Sequence, residues 1–249
     1  MKLLCVLFAL SFPPQSLSQG PAAQPPKAAG WKAKYDIGNG QHCGPYLTVT
    51  YDTLPLIVGS ILRVNGWIEA EKSPALSVTE TNPSVTLFLV RHTYTNGAGA
   101  TERFEMKKSG VLTAQLRILP GSLPPATVVW APAQFVGTAL SGANWRAEGV
   151  DYSSPKGVIS EKTFVGEFTK SIVAQKFWTL DTENTTWKLR VAPGQDSPDA
   201  LLADAIPAQT GAPAGERRFW LGFVGIRTAP GEDLVRTIRL DLTHKDPAK

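Results

Sequence analysis

The sequence predicts an all-β protein, built as two packed antiparallel sheets, and three observations carry that expectation. Strand-length apolar runs with period-two alternation recur from residue 45 onward, separated by turn-forming residues. A single short stretch, 198–206, reads as a helix, so the regular strand–helix alternation of a parallel sheet is missing. The 20 Pro and 22 Gly also break the chain too often for long helices. Long connections favour crossings between sheets, which puts a jelly-roll topology first and an immunoglobulin-like sandwich second.

Met1-Lys2 precedes the apolar run Leu3 to Phe12, which Pro13-Pro14 closes and small residues at Ser16 and Ser18 follow. That layout predicts a signal peptide over 1–18 and a secreted or cell-envelope protein. The run is short for a membrane span, so no transmembrane segment is expected in the mature chain. Cleavage would remove Cys5 and leave Cys43 without an intramolecular partner, so the core and not a disulfide must hold the fold. Residues 19–44, rich in Pro, Ala and Lys, read as a flexible arm that carries Trp31, Lys32, Lys34 and Tyr35. One β-sandwich domain then occupies 45–249.

Leu47, Val49 and Tyr51 alternate with threonines, a half-buried strand. Val58 to Ile68 keeps one apolar parity through Asn65-Gly66, which predicts one long strand kinked there. Val85 to Tyr94, the loop Thr95 to Gly99 and Thr101 to Lys107 form a hairpin, and Leu112 to Ile118 forms a strand ended by Pro120. Ala126 to Trp130 and Phe135 to Leu140 read as two short strands parted by Ala131-Pro132. Residues 141–162 are a long polar connection. Strands follow at Phe164 to Phe168, Ile172 to Leu180 and Thr185 to Val191. Ser197-Pro198 then has the form of an N-cap with Pro at the first helical position, which sets the helix. Last come Phe219 to Ile226, apolar throughout, and Leu234 to Leu242, apolar on alternate residues. Ala229-Pro230-Gly231-Glu232 has the residues of a type II turn, so the two are expected to pair as a hairpin.

The chemistry is sparse. The three histidines, His42, His92 and His244, show no metal-ligand spacing, and no nucleophile, P-loop or zinc motif occurs. His42 and Cys43 are adjacent and point opposite ways in extended chain, poorly placed as base and nucleophile. Glu69, Glu71 and Glu102 read as solvated strand-end acids rather than as a glycosidase pair. No catalytic residue, metal or cofactor is expected. Asn184-Thr185-Thr186 is a glycosylation sequon on a turn.

Seven tryptophans are the one enrichment, and most fall on strands where they belong to the core. Trp145 and Tyr152, in the polar 141–162 connection, are the aromatics expected to be exposed. With Asn144 and Arg146 beside them they form the candidate ligand site: flat faces for a sugar ring and hydrogen bonds at its edge. The expected function is a secreted, non-catalytic binding module for a carbohydrate, a surface or a protein. The alternative is a viral coat protein, a single jelly roll behind a flexible arm. The net charge of +4 is small and interspersed, so nucleic acid is expected as a partner only for a coat protein in a virion. Self-association is left open.

Overall fold

Period-two alternation becomes strand almost wherever it occurs. The computed structural model describes residues 30–37, 46–68, 70, 74–95, 97–121, 123–159, 176–195, 197–206 and 218–245. It holds sixteen strands and one short helix, all strand pairs antiparallel. The all-β, two-layer class read from the sequence is the class observed.

A first layer runs through β1 (Trp31–Asp36), β2 (Tyr46–Tyr51), β3 (Leu54–Val58), β9 (Thr127–Val136), β15 (Arg218–Arg227) and β14 (Leu201–Ile206), with β4 (Ile61–Asn65) also paired to β9. A second runs through β5 (Ala75–Asn82), β6 (Val85–Thr93), β7 (Gly99–Lys107), β8 (Val111–Leu119), β16 (Leu234–His244), β13 (Trp187–Pro193) and β12 (Lys176–Glu183). It continues past β12 to β10 (Asn144–Gly149) and β11 (Lys156–Val158). The layers are one hydrogen-bonded sheet curled on itself, continuous where Lys176 and Phe177 of β12 meet Leu202 and Leu201 of β14.

Between the layers lie Phe88 and Val90 of β6, Phe104 and Met106 of β7, the alternate residues Leu112 to Ile118 of β8, and Ile238, Leu240 and Leu242 of β16. β9 and β15 answer from the other layer. Phe219 to Phe223 are all buried, as the unbroken apolar run predicts. One polar contact bridges the layers. Glu102 of β7, 1% exposed, accepts hydrogen bonds from the Trp130 indole of β9 at 2.8 Å and pairs with His92 Nε2 of β6 at 2.9 Å. A buried carboxylate must be paired to be tolerated, and this one is. Glu102 is therefore no solvated strand end, and His92 is a core residue.

The other departures have local causes. Within the stretch read as an arm, Trp31–Asp36 is a strand, because Trp31 docks on Tyr51 at 5.3 Å and on Trp187 at 5.7 Å, while Tyr35 packs on Phe104. The first layer's edge is thus tied to the second. The helix expected at 198–206 is strand β14 from Leu201 onward, with Leu201 and Ala203 buried in alternation. Ser197 does not cap a helix: its Oγ donates to the Thr237 carbonyl and accepts from the Thr237 amide. The short helix is instead α1 (Gly137–Leu140), in the run read as a strand. The long strand expected through Asn65-Gly66 stops there, with Gly66 at φ +90° and the Trp67 amide donating to Val64. The final pair is not a hairpin. Its turn forms, with Gly231 at φ +74° and the Glu232 amide donating to Ala229, yet β15 and β16 lie in different layers, so the turn is an arch between them.

The signal-peptide reading of 1–18, Cys43 and His42, Glu69 and Glu71, and the strand expected at Phe164 to Phe168 lie outside the described residues. Among the described residues no helix is long and apolar enough to cross a membrane.

Candidate active site on the outer face of the second layer

The second layer buries one face and exposes the other, so β10, β12, β13 and β16 each contribute every other side chain to its outer surface. On β10 the alternation is Trp145 and Ala147 inward, Asn144, Arg146 and Glu148 outward. On β12 Asp181 and Glu183 face out, and on β13 Lys188 and Arg190 do so between Trp187, Leu189 and Val191. Asp241 and Thr243 of β16 alternate with Leu240 and Leu242.

Antiparallel register aligns these residues in rows across five strands. One row reads Lys156, Arg146, Asp181, Arg190 and Asp241; the next, two residues along, reads Val158, Asn144, Glu183, Lys188 and Thr243. Neighbours within a row are about 4.8 Å apart and the rows about 6.7 Å apart, the spacings of a pleated sheet. Both rows line a trough of about 930 Å³, the size of a small-ligand site.

Charge alternates along its floor. Asp181, half-buried, receives Arg190 Nη1 at 3.3 Å on both carboxylate oxygens, and Arg146 Nη2 stands 3.8 Å away on its other side. Asp241 is gripped by Arg239 of its own strand, Nε to Oδ1 at 3.0 Å and Nη2 to Oδ1 at 2.8 Å, which raises the guanidinium's already high pKa. Glu183 bonds the Lys245 ammonium, and that bond, with the charges of Lys245 and Lys188, holds its carboxyl below the ordinary glutamate value. Among the described residues no histidine borders the trough and no group of three His, Cys, Asp or Glu side chains is arranged to hold a metal. His244 is stacked on Tyr51 at 4.2 Å, at the end of the layer.

Of the four residues the sequence offers as a ligand site, Asn144 and Arg146 line the trough together. Trp145, 4% exposed, points the opposite way into the core, because adjacent residues of a strand cannot share a face. Tyr152 is fully exposed at the tip of the β10–β11 hairpin, at φ +64°, unusual for an aromatic residue. Its turn is pinned: the Gly149 amide donates to Ser153, and the Ser153 amide to Asp151 Oδ1 at 3.1 Å. Hydrogen bonds from Ser153 hold the Asp151 carboxyl below its ordinary value. The sequon asparagine makes structural bonds. Asn184 Oδ1 accepts the Thr186 and Trp187 amides and its Nδ2 donates to the Ala139 carbonyl.

Sequence reasoning missed Lys156, Asp181, Glu183, Lys188, Arg190 and Asp241. The alternation on each strand marks them as outward-facing, but nothing local says that β13 lies between β12 and β16.

No protein-family model matches the chain, and no curated protein matches its sequence. Solved structures do match in shape. One is a β-arabinopyranosidase, at TM-score 0.51 and 9% identity over 84% of this chain and 38% of that one. Another is the Salmonella typhimurium protein YeaD, assigned as a mutarotase, at 0.52 and 7% over 80% of this chain and 84% of that one. A third is a family 97 glycoside hydrolase from a Pseudoalteromonas species, at 0.50 and 9%, over 86% of this chain. This chain spans only 38% of the arabinopyranosidase and 35% of the hydrolase. At these identities the likeness is one of fold.

It nonetheless corrects the expectations about function. The architecture matched across four-fifths or more of the chain occurs in carbohydrate-processing enzymes, so the non-catalytic binding module and the coat protein both give way, and with them the expectation that the chain is no enzyme. The error has a physical source. Motif reading searches along the chain, whereas here the polar groups converge across strands.

Proposed function

We propose that this protein is a carbohydrate-processing enzyme acting in the trough, with Asp181 as its proton-accepting group. The observation that carries the reading is the in-register row Arg146, Asp181, Arg190, Asp241, which sets a half-buried carboxylate between two guanidinium groups on the trough floor. The likeness to a mutarotase and to glycosidases supports the choice of substrate class.

The same row argues for the type of reaction. Retaining glycoside hydrolysis uses two carboxyl groups about 5–5.5 Å apart. Asp181 and Asp241 stand two strands apart, about 9.6 Å between backbones, with Arg190 between them. A single carboxylate flanked by cationic donors suits proton transfer instead: the carboxylate takes the proton of the anomeric hydroxyl as the bond from the anomeric carbon to the ring oxygen breaks, the ring oxygen, held by a guanidinium, takes up a proton from water, and closure on the other face of the carbonyl reverses these steps. That is the chemistry by which anomers of a free sugar interconvert.

Polarimetry or NMR exchange on a panel of aldoses tests this. The parent protein is expected to speed anomer interconversion, and Asp181→Asn to slow it by about 100-fold or more, the usual worth of a general base. A parent protein that binds sugar and leaves the interconversion at its spontaneous rate would contradict the catalytic reading. We also infer a secreted or cell-envelope location from Met1 to Ser18. A natural product beginning at Gln19 supports that location, and one retaining Met1 contradicts it.

A further inference from the structure

Resting on the carbohydrate reading of the trough, we propose that its sugar carries an acidic group, a carboxylate, sulfate or phosphate ester, held by Arg146 and Lys156 at the β10–β11 lip. Seven charged residues line the trough: the cations Arg146, Lys156, Lys188 and Arg190, and the acids Asp181, Glu183 and Asp241. The acids are already answered. Asp241 takes Arg239 and Glu183 takes Lys245, two cations additional to those four, and Asp181 takes Arg190. The trough is left with unneutralised positive charge, and that charge is not spread evenly.

Lys188 stands opposite Glu183 and acts on its carboxyl, and the other two cations, Arg146 and Lys156, stand together at one edge. Arg146 and Lys156 are directly opposite each other across the β10–β11 pair, where like charges destabilise a sheet. Lys156 is exposed and has no ion-pair partner among the described residues. Arg146 is 73% exposed and stops at 3.8 Å from Asp181, beyond hydrogen-bond length, so its planar fork is not satisfied there. A guanidinium fork matches the paired oxygens of a carboxylate, sulfate or phosphate, and an ammonium beside it adds a point charge. Asp181, the next residue in the row, then stands about 5 Å further in, so a sugar anchored by its acidic group at the lip would lay its ring over the floor. The lip is short and sits on an edge hairpin held by the pinned 149–153 turn, which gives the two cations a fixed support.

Calorimetric titration of the full chain with four probes tests the proposal: an oligogalacturonate, the matching neutral galactose oligomer, a sulfated galactose and a galactose phosphate. Each is run against the parent, the double variant Arg146→Ala/Lys156→Ala, and Asp181→Asn, at low and high salt, with circular dichroism confirming the fold. The parent is expected to bind at least one acidic sugar about 10-fold or more tighter than the neutral one, as one or two charge-assisted hydrogen bonds would give. The double variant should lose the preference for the acidic over the neutral sugar, whatever it does to the neutral one, and added salt should erode that preference in the parent. The three acidic probes separate carboxylate, sulfate and phosphate. Equal binding of acidic and neutral sugars, lost in Asp181→Asn, would overturn the acidic lip and leave the trough standing. Acidic binding unchanged in the double variant would place the anion elsewhere and overturn the proposal. Binding of no probe would overturn both readings.

Discussion

Glu102 shows how much of one residue's role depends on what folds against it. On its own strand it is one acid in an alternating run; in the fold it bonds both layers, through Trp130 and His92. Glu102→Ala strands two buried polar groups and is expected to cost about 3–5 kcal/mol in a denaturant melt. Glu102→Gln keeps a hydrogen-bonding side chain of the same shape and should cost clearly less; equal losses would deny the bridge. Glu183 makes a different statement, about pH. Its carboxyl is held below the ordinary 4.5 by Lys245, so its contribution is fully present above that value and is lost as pH falls through the lowered one. A pH titration followed by carboxyl NMR should place Glu183 below ordinary glutamates, and Lys245→Ala should return it toward them. An unmoved titration would mean the contact does not persist in solution. At this scale the sequence was half legible. Asn144 and Arg146 face the trough, whereas Trp145, offered beside them for its aromatic ring, is put in the core by its alternation with them.

The strands themselves were legible wherever alternation was clean, as in β6, β7, β8, β13 and β16. They were less so where the signal was a breaker. Pro132 reads as a gap between two strands, yet β9 runs through it as one ten-residue strand. The ladder to β15 slips there, Leu221 facing Ala133 and Phe223 facing Trp130, and a bulge is where a central strand can hold a proline. Gly222 completes that bulge. A Cβ on it would stand 2.1 Å from the Trp130 carbonyl oxygen, so only glycine fits so close an approach. Gly222→Ala is expected to destabilise by about 1–3 kcal/mol, as overpacking does, and Phe223→Ala by about 3–5 kcal/mol. Thermal melts decide this, and a Gly222→Ala protein as stable as the parent would show that the two strands can separate there. The reading of 198–206 as helix failed for a related reason. Ser-Pro suits a helix start, but Leu201 and Ala203 found a place between β12 and β15, and burial outweighed the local signal.

At the scale of the whole molecule, strand order carries the functional conclusion, and order is what a single sequence conceals. The trough row draws on residues 156, 146, 181, 190 and 241, brought side by side because β16 pairs with β13 and β12 with β10. No short motif can encode that, and so the sequence reads as lacking a catalytic site. β16 also sits between β13 and β8 in the middle of its layer. A chain ending at Pro230 would lose Asp241 and split the second layer, and it is expected to be insoluble. The proposed sugar site is the outer face of β10, β12, β13 and β16, and amide NMR shift mapping during titration with a bound sugar tests it. The largest shifts are expected at residues 144–146, 156–158, 181–183, 188–190 and 241–243. Shifts gathered on other strands, with these residues unmoved, would contradict it.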